Sequence, residues 1–389
     1  MKIVFAVPHS GCAYWRCHQP ANMIERLGLA EVKTFFDDML PEEAEKWLHW
    51  GDVAISQSAM GINVVATLAR LREAGKAVVV DYDDLSFALS PFNPAYKTLG
   101  LNEVKITHKD KTHYLFQDGK DGFDIKANYF RFKSLQDILK VSDMVTVTNN
   151  YLKSKYLEFN KNIAVLPNSI DFNLFKPFPK KENKQIRIGW TASDSHYAEI
   201  WMVKRIMRRI FNKYKDSVRF VLLGNLFEMS IEFEKDSYER HDFISLELYP
   251  LKQASLNLDI GLCPLDNLPF NRAKSQLKWS EYASLRIPSV CSKLEPYDCV
   301  EDGVTGLLAK DEDEFFDKLC ALIEDAKLRK TISDNAFEEN YTNFNLEKNA
   351  ILWVEAYEQA RENSCRSQLS VKEVSENDTP KILQTSDIK

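Results

Sequence analysis

Along the first half of the chain, short runs of apolar and β-branched residues alternate with longer stretches in which apolar residues recur every three or four positions. The first pattern is that of strands and the second that of amphipathic helices. KIVFAV, VKTFF, DVAISQ and KAVVVDYDD predict four strands, with helices over about Pro20 to Leu27, Pro41 to Trp50 and Ile62 to Ala74 between them. A helix from Ala127 to Val141, the strand DMVTVT, a helix from Asn150 and the strand NIAVLPN complete this unit. The second half restarts the order with IRIGWT, a helix from Tyr197 to Lys215, VRFVLLG, ISLELYP, a short helix over Leu251 to Leu256, DIGLCPL, a helix over Ala273 to Leu285, and PSVCS. After GLLA come helices over about Glu312 to Ala326, Leu328 to Asn335 and Leu346 to Glu362. Strands that alternate with helices build parallel sheets, so the pattern predicts an α/β chain of two Rossmann-like domains facing each other across a cleft.

Two breaks in the rhythm set the boundaries. Residues 86–127 are rich in Pro, Gly, Lys and His and show no clear period. An insertion of this length at the ligand end of a sheet is more often a lid or a binding segment than a plain linker. Lys105, His108, Lys109, Lys111 and His113 make it locally basic, although a solvated charged loop has the same composition. Residues 171–185, DFNLFKPFPKKENKQ, shift to Pro, Lys and Asn and mark a hinge. The expected division is a domain over 1–178, a second over 179–345, a helix over 346–362 that packs back on the first domain, and a polar, disordered tail over 363–389.

Composition narrows the classes. A net charge of −6 over 389 residues gives no whole-surface field for a polyanion, so a nucleic-acid partner needs a local patch. The cysteines at 12, 17, 263, 291, 299, 320 and 365 are odd in number and scattered, as in a reduced cytoplasmic protein. Cys12 and Cys17 have no second pair with which to make a zinc site. No run approaches the ~20 apolar residues of a membrane span, and MKIVFAVPHS is too short for a signal peptide. No GxGxxG follows a predicted strand and no GxxxxGK[ST] occurs, which removes the main support for a dinucleotide or P-loop enzyme.

The candidate chemistry lies where strands end. In PFNRAKSQLKWSEYASLRIPSVC, Asn271 reads as an N-cap, yet Arg272 and Lys274 follow it. A cation in the first turn of a helix costs roughly 0.3–1 kcal/mol unless an anion sits there. Lys274, Lys278 and Glu281 fall at i, i+4 and i+7, so one face carries two ammoniums and then a carboxylate. That face could hold a diphosphate and a sugar hydroxyl; a solvated helix with a Lys278 to Glu281 ion pair is the plainer alternative. IRIGWTASDSH puts Gly189, Thr191, Ser193 and Ser195 at a strand end before a helix, as phosphate donors or as an ordinary N-cap. Asp81, Asp83 and Asp84 cluster at another strand end, suited to binding acceptor hydroxyls, to acting as a base, to capping the strand or to holding a divalent cation.

In their order, VDYDDL, VLPNSIDFNLFKP, IGWTASDSH, LDIGLCPL, FNRAKSQLKWSEYASLRIPSVCS and VEDGVTGLLA resemble the nucleotide-sugar-dependent glycosyltransferases of GT-B architecture, specifically the large retaining family, over residues 1 to 360. The resemblance implies an acceptor domain followed by a donor domain. It also implies transfer of a sugar from a UDP- or GDP-linked donor to a glycan, a lipid-linked saccharide or a modified DNA base, with retention of configuration and without a metal or other cofactor. Glu281 matches the second Glu of the family's Glu, seven residues, Glu motif, which holds ribose hydroxyls. The first Glu would fall on Ala273 and is absent; Lys274 beside it becomes the candidate for charge stabilisation at the departing diphosphate. The family's Arg and Lys pair after the first strand of the second domain is also missing, since Trp190 and Ser195 or His196 stand there, which leaves Arg272, Lys274 and Lys278 to grip phosphate from the donor helix that also holds Ser275. Tyr249 in LELYP and Pro264 and Leu265 in CPL resemble the stretches that meet base and diphosphate. Gly11, Tyr14 and Arg16 resemble the loop that approaches donor sugar or acceptor, with Arg16 suited to phosphate or else to a surface salt bridge. Asp81, Asp83 and Tyr14 are expected on the acceptor, and Asp83 and Asp84 in catalysis. Two further readings stand beside this one, a nucleotide-sugar epimerase of the same architecture and a non-catalytic sugar-nucleotide binder.

Overall fold

The computed structural model describes residues 1–36, 38–108, 110–193, 196–224 and 237–377. Its first half comprises β1 (Lys2–Val7), α1 (Gly11–Ala13), a π-helical turn over Tyr14–His18, α2 (Gln19–Arg26), β2 (Glu31–Phe36), α3 (Pro41–Trp50), β3 (Val53–Gln57), α4 (Ile62–Glu73), β4 (Ala77–Tyr82), α5 (Tyr96–Leu99), β5 (Val104–His108), β6 (Lys111–Phe116), α6 (Ile125–Val141), β7 (Met144–Val147), α7 (Asn150–Tyr156) and β8 (Ile163–Val165). The second comprises β9 (Ile186–Thr191), α8 (Tyr197–Tyr214), β10 (Val218–Leu223), β11 (Tyr238–His241), α9 (Tyr249–Ser255), β12 (Ile260–Cys263), α10 (Pro269–Arg272), α11 (Leu277–Ser284), β13 (Ser289–Ser292), β14 (Leu307–Ala309), α12 (Glu312–Glu324), α13 (Ala326–Asn343) and α14 (Leu346–Asn377).

Two six-stranded sheets result, ordered β2-β1-β3-β4-β7-β8 and β11-β10-β9-β12-β13-β14. All of their strand pairs are parallel. Helices cover both faces, so a central strand such as AVVVDY in β4 is buried at every position while the edge strand β2 is mostly not. Crossing helices return each strand in the same direction, which gathers the carboxyl ends at one edge of each sheet. α14 then returns to the first sheet. Leu346, Ala350, Trp353 and Tyr357 join Ile3, Phe5 and Ile55 in one core, with Tyr357 edge-on to Phe5 at 6.0 Å between ring centroids.

Several expectations need correction. The segment after β1, read as a loop, is helical from Gly11 onward, because Ser10 accepts the Ala13 N–H as an N-cap. The insertion contains the antiparallel hairpin β5–β6, closed through Asp110 at φ 60°. ISLELYP is no strand: β11 pairs earlier, over Tyr238–His241, and α9 begins at Tyr249. The last helix continues past Glu362 to Asn377, into the stretch read as disordered, and 378–389 lie outside the described residues. The helix expected over 273–285 starts only at Leu277, as α11; a separate short helix, α10, precedes it, and the turn between them contains Lys274.

Candidate active site

Where the carboxyl ends of the two sheets meet lies a cavity of about 270 Å³. Gly11, Cys12, Trp15, Asp83 and Asp84 line it from the first domain. From the second domain come Thr191, Ala192, Ser193, His196, Phe243, Leu246, Tyr249, Leu265, Lys274, Ser275, Leu277, Lys278, Glu281 and Tyr297. Three charged groups of the donor segment, Lys274, Lys278 and Glu281, and both acids after β4 therefore line one space.

Contacts from the other domain shape the donor segment. Asn149 caps α7 with its Oδ1 and, through Nδ2, donates to the carbonyls of Lys274 at 2.6 Å and Arg272 at 3.3 Å. Asn168 donates to the Ser275 hydroxyl at 2.9 Å and accepts the Gln276 amide at its carbonyl at 2.6 Å. Carbonyls that are held this way are lost to a continuous helix, so Asn271 sits inside α10 instead of capping a longer one. Asn271 instead donates to Glu199 Oε1 at 2.5 Å.

Burial dominates the electrostatics. Glu281, 5% exposed, accepts the Tyr249 hydroxyl at 2.8 Å. Burial pushes its pKa up to about 7, against the pull of Lys278 and Tyr249. Lys278 donates to the Thr191 carbonyl, and burial lowers its pKa. Lys274 Nζ stands 3.7 Å from Asp84 Oδ1. Burial works against its charge, yet Asp84, with Cys12, Glu199 and Asp83 around it, holds its pKa above the ordinary value. Asp83 is pushed up to about 7 by burial and then by Asp84. His196 lies 3.5 Å from Glu199, and burial followed by Lys278 drives its pKa down to about 4, leaving a neutral imidazole at the cavity wall. Burial and the nearby acids push the Cys12 thiol well up, so it is not a thiolate nucleophile.

The sequence candidates divide accordingly. Lys274, Lys278, Glu281, Ser275, Tyr249, Leu265, Thr191, Ser193, His196, Gly11, Asp83 and Asp84 line the cavity. Arg16 and Asp81 do not. Arg16 is fully buried in the π-helical turn, with Nη2 2.7 Å from Asp81 Oδ2, Nη1 3.1 Å from Asn168 Oδ1, and its guanidinium 4.5 Å from the Trp353 ring centre. Thr146 donates to the same Asp81 at 2.6 Å. Neither is free for phosphate or acceptor. Arg272 points away to Glu295 and over Tyr151. Gly189 packs on Leu258, where a Cβ would come within 2.2 Å, and Pro264 is buried behind Leu265. Tyr14 packs against Trp15 outside the cavity lining. Ser195 lies outside the described residues.

Some site residues carried no local signal. Trp15, Phe243, Leu277 and Tyr297 form apolar walls, joined by Leu246 from the LELYP stretch. Glu199 was legible only as an acid in the first turn of α8, although it holds Asn271 and the Asp266 N–H from a fully buried position. Asn168, in the PNSIDF stretch, links Arg16 to Ser275 and so connects the two domains behind the cavity.

Residues 187–325 match the sequence model of the family described as Glycosyl transferases group 1. No curated protein matches the chain by sequence. Among solved structures, it is similar to Anabaena Alr3699/HepE in complex with UDP and glucose, at 15% identity and a TM-score of 0.61, over 91% of this chain and 98% of that one. Sucrose-phosphate synthase from Thermosynechococcus elongatus superposes with a TM-score of 0.65 at 14% identity, over 92% and 98% of the two chains. A glycosyltransferase from Rickettsia africae gives 0.60 at 10% identity, again over 92% and 98%. No helix among the described residues is long and apolar enough to cross a membrane.

Proposed function

We propose that this chain, whose residues 187–325 match the Glycosyl transferases group 1 model on a frame of two parallel sheets, is a sugar transferase that takes its sugar from a nucleoside-diphosphate donor seated in the interdomain cavity. The observation that carries the reading is the convergence of Lys274, Lys278 and Glu281 from one domain with Asp83 and Asp84 from the other. Glu281, oriented by Tyr249, takes ribose hydroxyls, and their hydrogen bonds favour its ionised form. Lys274 and Lys278 meet the diphosphate. The steepest demand of glycosyl transfer is stabilisation of charge on the leaving group, which fixed cations in a water-poor site supply efficiently.

Lys274 stands within ion-pair distance of Asp84. An arriving diphosphate competes for the same ammonium, and Asp84 is then released toward the acceptor. Asp83, with its pKa near neutrality, is placed to hold an acceptor hydroxyl, while the departing diphosphate oxygen takes its proton. Transfer proceeds without a metal, because the two lysines provide the positive charge, and with retention, as the resemblance to the retaining family implies. UDP is the nucleotide to try first, since the similar HepE structure holds it. The seven free cysteines support a cytoplasmic setting.

A thermal-shift panel of UDP, GDP, ADP and CMP with their sugar conjugates tests the donor, since a ligand of the native state raises the melting midpoint by mass action. A shift with one nucleoside diphosphate, followed by chelator-insensitive transfer, is the expected result. Silence across the panel removes the reading, and donor turnover without any acceptor turns it into an epimerase.

A further inference from the structure

Directly after Asp83 and Asp84 the chain leaves the first sheet at the carboxyl end of β4 and rejoins it at the start of α6, so the intervening lobe stands at the same end of the sheet as the cavity. The lobe has its own small core. Phe116 and Phe123 lie 4.9 and 6.1 Å from Tyr96 between ring centroids, and Asn128 ties down the Gly100 carbonyl at 2.8 Å. That core fixes the hairpin β5–β6 while most of its length stays in solvent.

Across the hairpin, Lys105 pairs with Tyr114 and Thr107 with Thr112. The Lys105 ammonium sits 4.7 Å from the Tyr114 ring centre, and the two threonine hydroxyls are 3.2 Å apart. Beside this face, Lys97, Tyr114, Gln117 and Lys120 help to line a hollow of about 260 Å³. Lys105, Lys109 and Lys111 against Asp110 give residues 104–116 a charge of +2 in a chain of −6. Lysines, an accessible ring and hydroxyls on one exposed ribbon match what a nucleic-acid strand offers: phosphates to neutralise and bases to stack.

We propose that this lobe docks a nucleic-acid strand and that the acceptor is a hydroxyl-bearing base on that strand. The docking stands by itself; the acceptor role rests on the sugar-transfer reading. A membrane surface fits less well, because the exposed apolar residues Ile106, Tyr114 and Leu115 are interleaved with Lys105, Thr107, Lys111 and Thr112 and do not gather on one face. A neutral glycan brings no charge for the lysines to neutralise and would bind without salt dependence.

The test uses the full-length protein and the anisotropy of a short labelled single-stranded DNA of mixed sequence, across salt, beside its duplex and anionic phosphatidylserine vesicles. Three to four phosphate contacts predict a log–log salt slope of about −2 to −3 for a single strand. Lys105→Glu with Lys111→Glu should cut affinity at least ~10-fold and shallow the slope by about 1.4. Tyr114→Ala should weaken binding by about 10-fold with the slope unchanged, since stacking releases no counterions. Unchanged melting midpoints establish that the variants fold. Absence of DNA binding, binding indifferent to these substitutions, or a preference for the vesicles each overturns the proposal. A UDP shift without DNA binding defeats the docking alone; DNA binding without any nucleotide shift defeats the sugar-transfer reading and leaves the docking standing.

Discussion

Asp84 and Lys274 form a 3.7 Å ion pair across the cleft, so an acid of the first domain holds the chief cation of the second. Replacing Lys274 by Ala removes that cation from the leaving diphosphate. Turnover at saturating donor should fall by about 10²–10³, the range seen when one preorganised stabilising group is lost. A change confined to KM would make Lys274 a binding residue and nothing more.

Glu281 makes stability fall with rising pH. Its native pKa is about 7 against an ordinary 4.5, so between these values the native state holds a proton that the unfolded chain releases. That contribution is present below pH 4.5 and is lost as pH climbs to about 7. Glu281→Gln abolishes the titration, and its stability relative to the parent should improve between pH 5 and pH 8 by on the order of 2–3 kcal/mol. Urea midpoints at the two pH values check this; a pH-independent difference would place Glu281 in a solvated setting.

His196 has the opposite sign. Its native pKa of about 4 lies below the ordinary 6.5, so the unfolded chain takes up a proton that the native state excludes. Stability from this site rises as pH goes from about 4 to 6.5. His196→Gln should flatten that limb of the stability profile, measured by thermal melts over the same range, and leave the curve above pH 7 parallel to the parent's.

Arg16 and Asp81 are both fully buried and hydrogen-bonded to each other. Asp81→Asn leaves a buried guanidinium without its counter-charge, a change that costs about 3–5 kcal/mol. Nucleotide affinity of the folded fraction should stay within about twofold. Isothermal titration with UDP below the melting range separates the two effects, and a large loss of affinity with unchanged stability would return Arg16 to the phosphate site.

Gly224 ends β10 at φ 121°, where a Cβ would lie 2.1 Å from the Ala192 carbonyl oxygen. Gly224→Ala should destabilise by roughly 3 kcal/mol and displace Ala192, which lines the cavity, so nucleotide affinity should fall with stability.

The sheets were legible because their strands are short β-branched runs between amphipathic helices, and IRIGWT is β9 to the residue. Lys274 was legible as a cation that a helix start does not want, and Lys278 and Glu281 by their spacing of four and seven from it. Their geometry was not, because the turn at Lys274 is imposed by Asn149 and Asn168, more than a hundred residues earlier in the chain. Arg16 misled for the same reason: Asp81 is 65 positions away, and nothing local marks the pair as interior. The hairpin escaped notice because its left-handed turn residue is Asp110, without the glycine that signals such turns.

α14 has a bearing on how this protein can be recombined. The backbone passes between the halves twice, and the two passages are hydrogen-bonded to each other where Ile170 meets Phe344 and Leu346. Trp353 and Tyr357 then complete the core under β1. A chimera that joins the first domain of one parent to everything after residue 170 of another would bring a foreign helix to its own innermost layer. Productive crossovers need two breakpoints, one at each passage, with the closing helix inherited from the parent of residues 1–170.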